Sequence, residues 1–140
     1  MSHNAQAIVV SCIDFRFRKA LQKFFEEQLN IYSVDHKADA GGAKMIVEEG
    51  PVRDWILKNI EISVELHHVN QIILINHEDC GAYGGSAKFA SHDEEIKFQE
   101  LQLRHAVSVV RAKYPSKQVE AYLAVFDKNH EQNIVFKKIA

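Results

Sequence analysis

The residues of this chain best suited to chemistry lie in two short clusters, Cys12-Ile13-Asp14-Phe15-Arg16 and His77-Glu78-Asp79-Cys80-Gly81. Cys12 and Cys80 are its two cysteines, and in a reducing compartment each is either a small inert core residue or a reactive or metal-binding thiolate. With His77 they form a two-thiolate, one-imidazole donor set that suits zinc. Three protein ligands leave the fourth tetrahedral position open, as in catalytic zinc sites. The His77-x-x-Cys80 spacing lets one turn carry two donors, and Gly81 lets the backbone bend without a Cβ clash. Asp14 either fills the fourth position or accepts a hydrogen bond from metal-bound water. Arg16 is placed to clamp Asp14 through a bidentate pair that keeps the carboxylate ionised, although an ordinary loop salt bridge explains the same two residues.

These clusters meet only if the elements before them are neighbours. Residues 7–11 form a short β-branched run, the pattern of a strand covered on both faces. Residues 15–30 carry Leu21, Phe24 and Phe25 at helical spacing, and 31–36 read as a second strand. Gly50-Pro51 opens a helix that runs to His68. Residues 71–76 are the clearest buried strand, and Ser91-x-x-Glu94 is a capping box opening a long helix that ends near Tyr114-Pro115. Strands at 119–126 and 134–138, joined by a turn over 127–133, close the chain as a hairpin. This alternation predicts a three-layer α/β/α fold: four parallel strands in the order 2-1-3-4, with an antiparallel C-terminal edge strand. In such sheets the functional crevice opens at the carboxyl ends of the strands where winding reverses, here strands one and three. The two clusters follow those strands directly.

Composition narrows the function classes. A length of 140 residues with 46% hydrophobic and 26% charged residues predicts one domain over 1–140 with its own core. Seventeen Lys plus Arg against nineteen Asp plus Glu give a net charge of -2, so no basic field favours nucleic acid or an anionic membrane. No apolar run approaches the length of a membrane span. The first residues lack a secretory pattern, so the expected compartment is the cytoplasm.

The pair of motifs Cys12-x-Asp14-x-Arg16 and His77-x-x-Cys80-Gly81 resembles those of the β-class carbonic anhydrases, zinc enzymes that hydrate carbon dioxide reversibly to bicarbonate. Ala40-Gly41 resembles the family's turn after strand two, and 122–133 its closing strand and turn. The resemblance implies one zinc ion held by Cys12, His77 and Cys80, with Asp14 as a further ligand or as the residue orienting a zinc-bound hydroxide, and Arg16 as its partner. It implies that the Gly81 backbone N–H orients a substrate oxygen, and that the chain forms a homodimer or a higher homo-oligomer.

The chain also departs from that family. Ala38-Asp39 stand where many members have Arg-Asn. His3, Asp35 and Ile62 align with a Gln, a Phe and a Tyr that line the carbon dioxide pocket, the aromatic pair from across a dimer interface. An alternative is therefore a zinc protein of structural or regulatory role, without turnover. A third reading, Cys12-x5-Arg18 as a phosphate loop, is disfavoured by Asp14 and the bulky Phe15 and Phe17. His67 and His68 are expected to meet the last helix carbonyls or solvent; His92 and His105 are placed to shuttle protons only if they line the crevice. Phe15, Phe17, Phe24 and Phe25 are expected in the core, with a surplus for a dimer face.

Overall fold

The unbroken apolar runs become the central strands. The computed structural model describes residues 3–127 and 130–140. In β1 (Ala7–Ser11) successive side chains point to opposite faces of the sheet: Ile8 and Val10 enter one core, Ala7 and Val9 the other. β3 (Gln71–His77) does the same with Ile72 and Leu74 against Ile73 and Ile75. With β2 (Val34–Ala38), β4 (Gln118–Asp127) and β5 (His130–Lys138) they form one sheet in the order β2-β1-β3-β4-β5. The first four strands are parallel and β5 is antiparallel. The expected fold class and strand order are those observed.

Helices cover both faces. A 3-10 turn (Phe15–Phe17), α1 (Arg18–Lys23) and a π-helical turn (Phe24–Gln28) lay Phe17, Leu21, Phe24 and Phe25 on one side. On the other, α2 (Lys44–Val47), α3 (Pro51–Leu66) and α4 (His92–Lys113) bury Ile46, Ile56, Ile60, Leu103, Val107 and Val110. Each such burial stabilises the fold by roughly 1.5–3 kcal/mol. Pro51 starts α3 at its first turn, and the Ser91 hydroxyl accepts the Glu94 N–H at 3.2 Å to cap α4.

The structure differs from the sequence expectations in four places. The first helical segment tightens and then widens along its length: Leu29 N–H reaches back five residues to Phe24 O at 3.1 Å, and Asn30 at φ 55 ends it. Strand two starts at Val34 rather than residue 31. Ile31 donates its N–H to Phe25 O, while Gln6 Oε1 accepts from Tyr32 N and Ser33 N, so this backbone is committed before sheet pairing begins. The closing strands extend to Asp127 and resume at His130, so the expected turn is shorter; residues 128–129 lie outside those described. Phe15 is 85% exposed, because the 3-10 turn directs Phe17 inward and leaves Phe15 outside.

Candidate metal centre

β1 and β3 are adjacent and parallel, so their carboxyl ends open at the same edge of the sheet. Cys12 follows Ser11 at the end of β1, and His77 is the last residue of β3. Asp79 takes a left-handed conformation, φ 54, which bends the chain between His77 and Cys80; aspartate tolerates this region better than most residues. The Cys12 and Cys80 sulfurs lie 4.0 Å apart, and one donor atom from each of Cys12, His77 and Cys80 falls within 4.8 Å of the others.

The imidazole is oriented for a cation. His77 Nδ1 lies 2.7 Å from Glu78 O, so Nδ1 carries the proton and Nε2 presents a lone pair. That Nε2 is buried without a hydrogen-bond partner. An orphaned buried acceptor is costly unless something else satisfies it, and two sulfurs beside it complete a soft donor set for zinc. The residues present therefore fit a zinc ion. The close contact of the two thiols lowers the Cys12 pKa and raises that of Cys80, so the pair shares one proton with Cys12 as the more acidic member. Gly41 N–H also points at Cys12 Sγ, at 3.4 Å.

Asp14 sits beside the donors, with Oδ2 3.7 Å from His77 Nε2. Arg16 Nε lies 3.1 Å from both Asp14 oxygens, Nη2 is 2.7 Å from Oδ2, and the Arg16 backbone N–H adds a bond of 2.9 Å to Oδ1. The Arg16 side chain holds Asp14 below the usual carboxylate range, and Asp14 in turn raises Arg16. Arg16 is fixed from the other cluster as well: Nη1 donates to Asp79 Oδ2 and Nη2 to Asp79 O, both at 3.0 Å. Asp79 is anchored by Ser86 N–H on Oδ1 and by buried Glu95, whose Oε1 accepts the Asp79 N–H. The one guanidinium thus ties the two cysteine clusters together.

A second network lies beneath the donors. Asn76 Oδ1 accepts Ala43 N–H at 2.9 Å, and its Nδ2 donates to Gln99 Oε1 at 2.8 Å and Tyr83 OH at 3.2 Å. It joins the loop bearing Gly41, the turn after Cys80 and α4. Gly42 packs so closely here, at φ 56, that a Cβ would stand 2.8 Å from Ile75 O. Asp79, Glu95, Asn76 and Gln99 escaped sequence reasoning. The available signals were an amide and an imidazole at the end of an apolar strand, and Asp79 inside the second motif.

A cavity of about 320 Å³ opens beside Cys12 and Asp14; Ile13, Phe15, Leu21 and Ala38 make it largely apolar, and Arg18 and His36 add polar groups. Arg18 shares this cavity with Cys12, and Cys12 Sγ lies 4.0 Å from Cys80 Sγ, in the donor cluster. His3 and Asp35 line a depression that includes none of the candidate ligands. Ile62 is an exposed residue of α3. His67 does not cap carbonyls or stay free: its Nδ1 lies 2.6 Å from Asp35 Oδ2, which also accepts Ser63 Oγ. His92 pairs with Glu78, and His105 is exposed on α4. Gly81 heads the 3-10 turn Gly81–Tyr83 directly after Cys80.

Comparison with known proteins agrees with this architecture. Residues 2–135 match the family model described as "Putative carbonic anhydrase". The chain belongs to this carbonic anhydrase family, and its fold is that of the β class. An uncharacterised protein of Rickettsia conorii is 28% identical, over 93% of this chain and 73% of its own. Among solved structures, a carbonic anhydrase from Glaciozyma antarctica superposes with a TM-score of 0.64 at 17% identity, covering 100% of this chain and 85% of its own. One from Streptococcus mutans gives 0.61 at 14% identity, over 97% and 84%. Isoform I of the Trichomonas vaginalis β-carbonic anhydrase gives 0.59 at 15%, over 95% and 83%.

Proposed function

We propose that this chain catalyses the reversible hydration of carbon dioxide to bicarbonate at a single zinc ion held by Cys12, His77 and Cys80. The observation that carries the reading is the buried, unpartnered His77 Nε2 lying among two sulfurs, in a chain of the carbonic anhydrase family. Zinc, when bound, supplies a Lewis acid that brings the pKa of water it holds towards about 7. The chain's own residues do the rest. Glu78 O fixes the His77 tautomer, and Gly41 N–H orients Cys12 as an anionic donor. Asp14, occupied by Arg16 on both oxygens, acts as an ionised acceptor that orients the reacting water rather than as a fourth ligand. Ile13, Phe15, Leu21 and Ala38 give a small apolar substrate an apolar wall, and the Gly81 backbone N–H orients one of its oxygens.

The same reading makes residues 1–140 one functional domain that works in the cytoplasm, where both thiols stay reduced, as a homodimer or higher homo-oligomer. A fungal pair of β-carbonic anhydrases of this fold, from Sordaria macrospora, is tetrameric. Stopped-flow hydration over about pH 6.5–9, comparing zinc-loaded with chelator-stripped protein, tests the activity. Turnover only with zinc is the expected result, and Cys80→Ser should lose both zinc and turnover. Zinc retained by the native chain with no turnover above background would overturn catalysis and leave a structural or regulatory zinc protein.

A further inference from the structure

Hydration of carbon dioxide forms one C–O bond and breaks one O–H bond of water, so each turnover leaves a proton inside the site. A base able to take and release it near neutral pH must connect the cavity with solvent. The cavity walls offer few choices. Arg18 remains a cation, Asp14 is held ionised by Arg16, and Cys12 belongs to the donor set. Elsewhere His67 and His92 are occupied by Asp35 and Glu78, His3 lines a separate depression, and His68 and His105 stand exposed without lining the cavity. His36, on β2, remains among the described side chains.

Its surroundings form a path. His36 lines the cavity beside Cys12 and also an outer groove of about 200 Å³ that it shares with Arg18, Gln22 and Phe25, so the ring stands at the junction of the two. Its Nε2 lies 2.6 Å from Ser11 Oγ. Ser11 is almost fully buried, and it borders an inner cavity together with Cys12 and His77. The Ser11 hydroxyl has a second acceptor, Cys12 O at 3.4 Å. It can therefore donate to a neutral His36, or turn to Cys12 O and accept from a protonated one.

We propose that His36 is the proton carrier of this site, a role that rests on the hydration reading above. One proton passes from the water that becomes part of bicarbonate through the Ser11 hydroxyl, which gives its own proton to Nε2 and takes the water's, and one leaves from Nδ1 to a base in solution. The imidazole regains its starting state by the tautomer exchange that this two-sided transfer requires. The charged groups facing the ring are Arg18 from α1 and, across the cavity, Asp14 and Cys12 from the loop after β1; the π-helical turn presents only the Phe25 ring. His36 is exposed overall, which gives the ring a way to solvent, and desolvation of its covered side lowers its pKa, which favours release of the proton once it has been taken.

The test compares native zinc-loaded protein with His36→Gln, reading kcat and kcat/KM in dilute and concentrated buffer, zinc content, and the His36 ring by nitrogen NMR across about pH 5–8. In dilute buffer the variant should lose at least about tenfold in kcat while keeping zinc and kcat/KM, and added imidazole should restore the rate. The native ring should titrate below about 6.5. Equal kcat in both proteins at every buffer concentration, or a ring that does not titrate in that range, overturns the assignment. Absence of turnover in the native zinc-loaded protein is a different result, which overturns the hydration reading and this role with it.

Discussion

At the scale of single residues, the candidate centre depends on side chains that touch no ligand. Asn76 is buried at the end of β3 with three bonds to three different segments. Asn76→Ala leaves Ala43 N–H and Gln99 Oε1 without that partner, and should destabilise the chain by about 2–4 kcal/mol in urea unfolding. Gln99 Nε2 is already buried without a partner, so the network has no spare acceptor to absorb the loss. His36 gives a pH signature of its own. Desolvation of its covered side lowers its folded pKa below the unfolded value, so the folded state resists protonation. Native protein should keep its full stability above about pH 6.5 and lose it, relative to His36→Gln, as pH falls through the folded pKa. Thermal melts at about pH 8 and pH 5 check this sign; a gap that fails to move with pH would contradict it. Neither residue stands out in the sequence. Asn76 is a single amide after an isoleucine-rich run, and nothing local to His36 tells that Ser11 and Cys12 lie beside it.

At the scale of elements, β2 shows how side-chain bonds override local pattern. Its sequence, Val-Asp-His-Lys-Ala, has little strand propensity, and the apolar Ile31 drew the expected strand too early. The side chain of Gln6 closes the preceding loop, and Asp35 then ties β2 to the end of α3 by accepting from Ser63 Oγ and bonding His67 Nδ1, both at 2.6 Å. Asp35→Ala should cost about 1–2 kcal/mol, because the Ser63 hydroxyl is buried and loses its acceptor. Chemical denaturation of the variant reads this directly, and a neutral result would mean that the tie between β2 and α3 carries no stability. The helices were easier. Pro51, the Ser91 cap and the spacing of Ile56, Ile60, Leu103 and Val107 are signals contained within one or two turns.

At the scale of the whole molecule, the outer face of α3 carries Val52, Trp55, Ile62 and Leu66, which are 48%, 57%, 38% and 63% exposed. Their steps of three, seven and four residues place them along one side of the helix, flanking the buried Ile56 and Ile60. Phe15 adds a second large exposed apolar group beside the candidate cavity. A monomer gains nothing from such a stripe, whereas a second copy of the chain would bury it. Light scattering on the purified chain should therefore give a homo-oligomer, and Ile62→Glu should shift it towards the monomer without lowering the monomer's own stability. A native monomer at micromolar concentration would count against the proposed assembly.

The sequence by itself determined the donor types, their order along the chain and the strand-helix alternation that carries them to one edge of a parallel sheet. Those signals are local: spacing, caps and β-branched runs act over a few residues, and two covered faces force continuous apolar strands. Only the tertiary structure decided that Cys12 lies within reach of His77 and Cys80, that Glu78 O sets the histidine tautomer, that Arg16 bridges to Asp79, and that His36 rather than His92 or His105 borders the cavity. The partner of each polar group comes from an element distant in sequence. Its orientation follows from packing that no local pattern encodes.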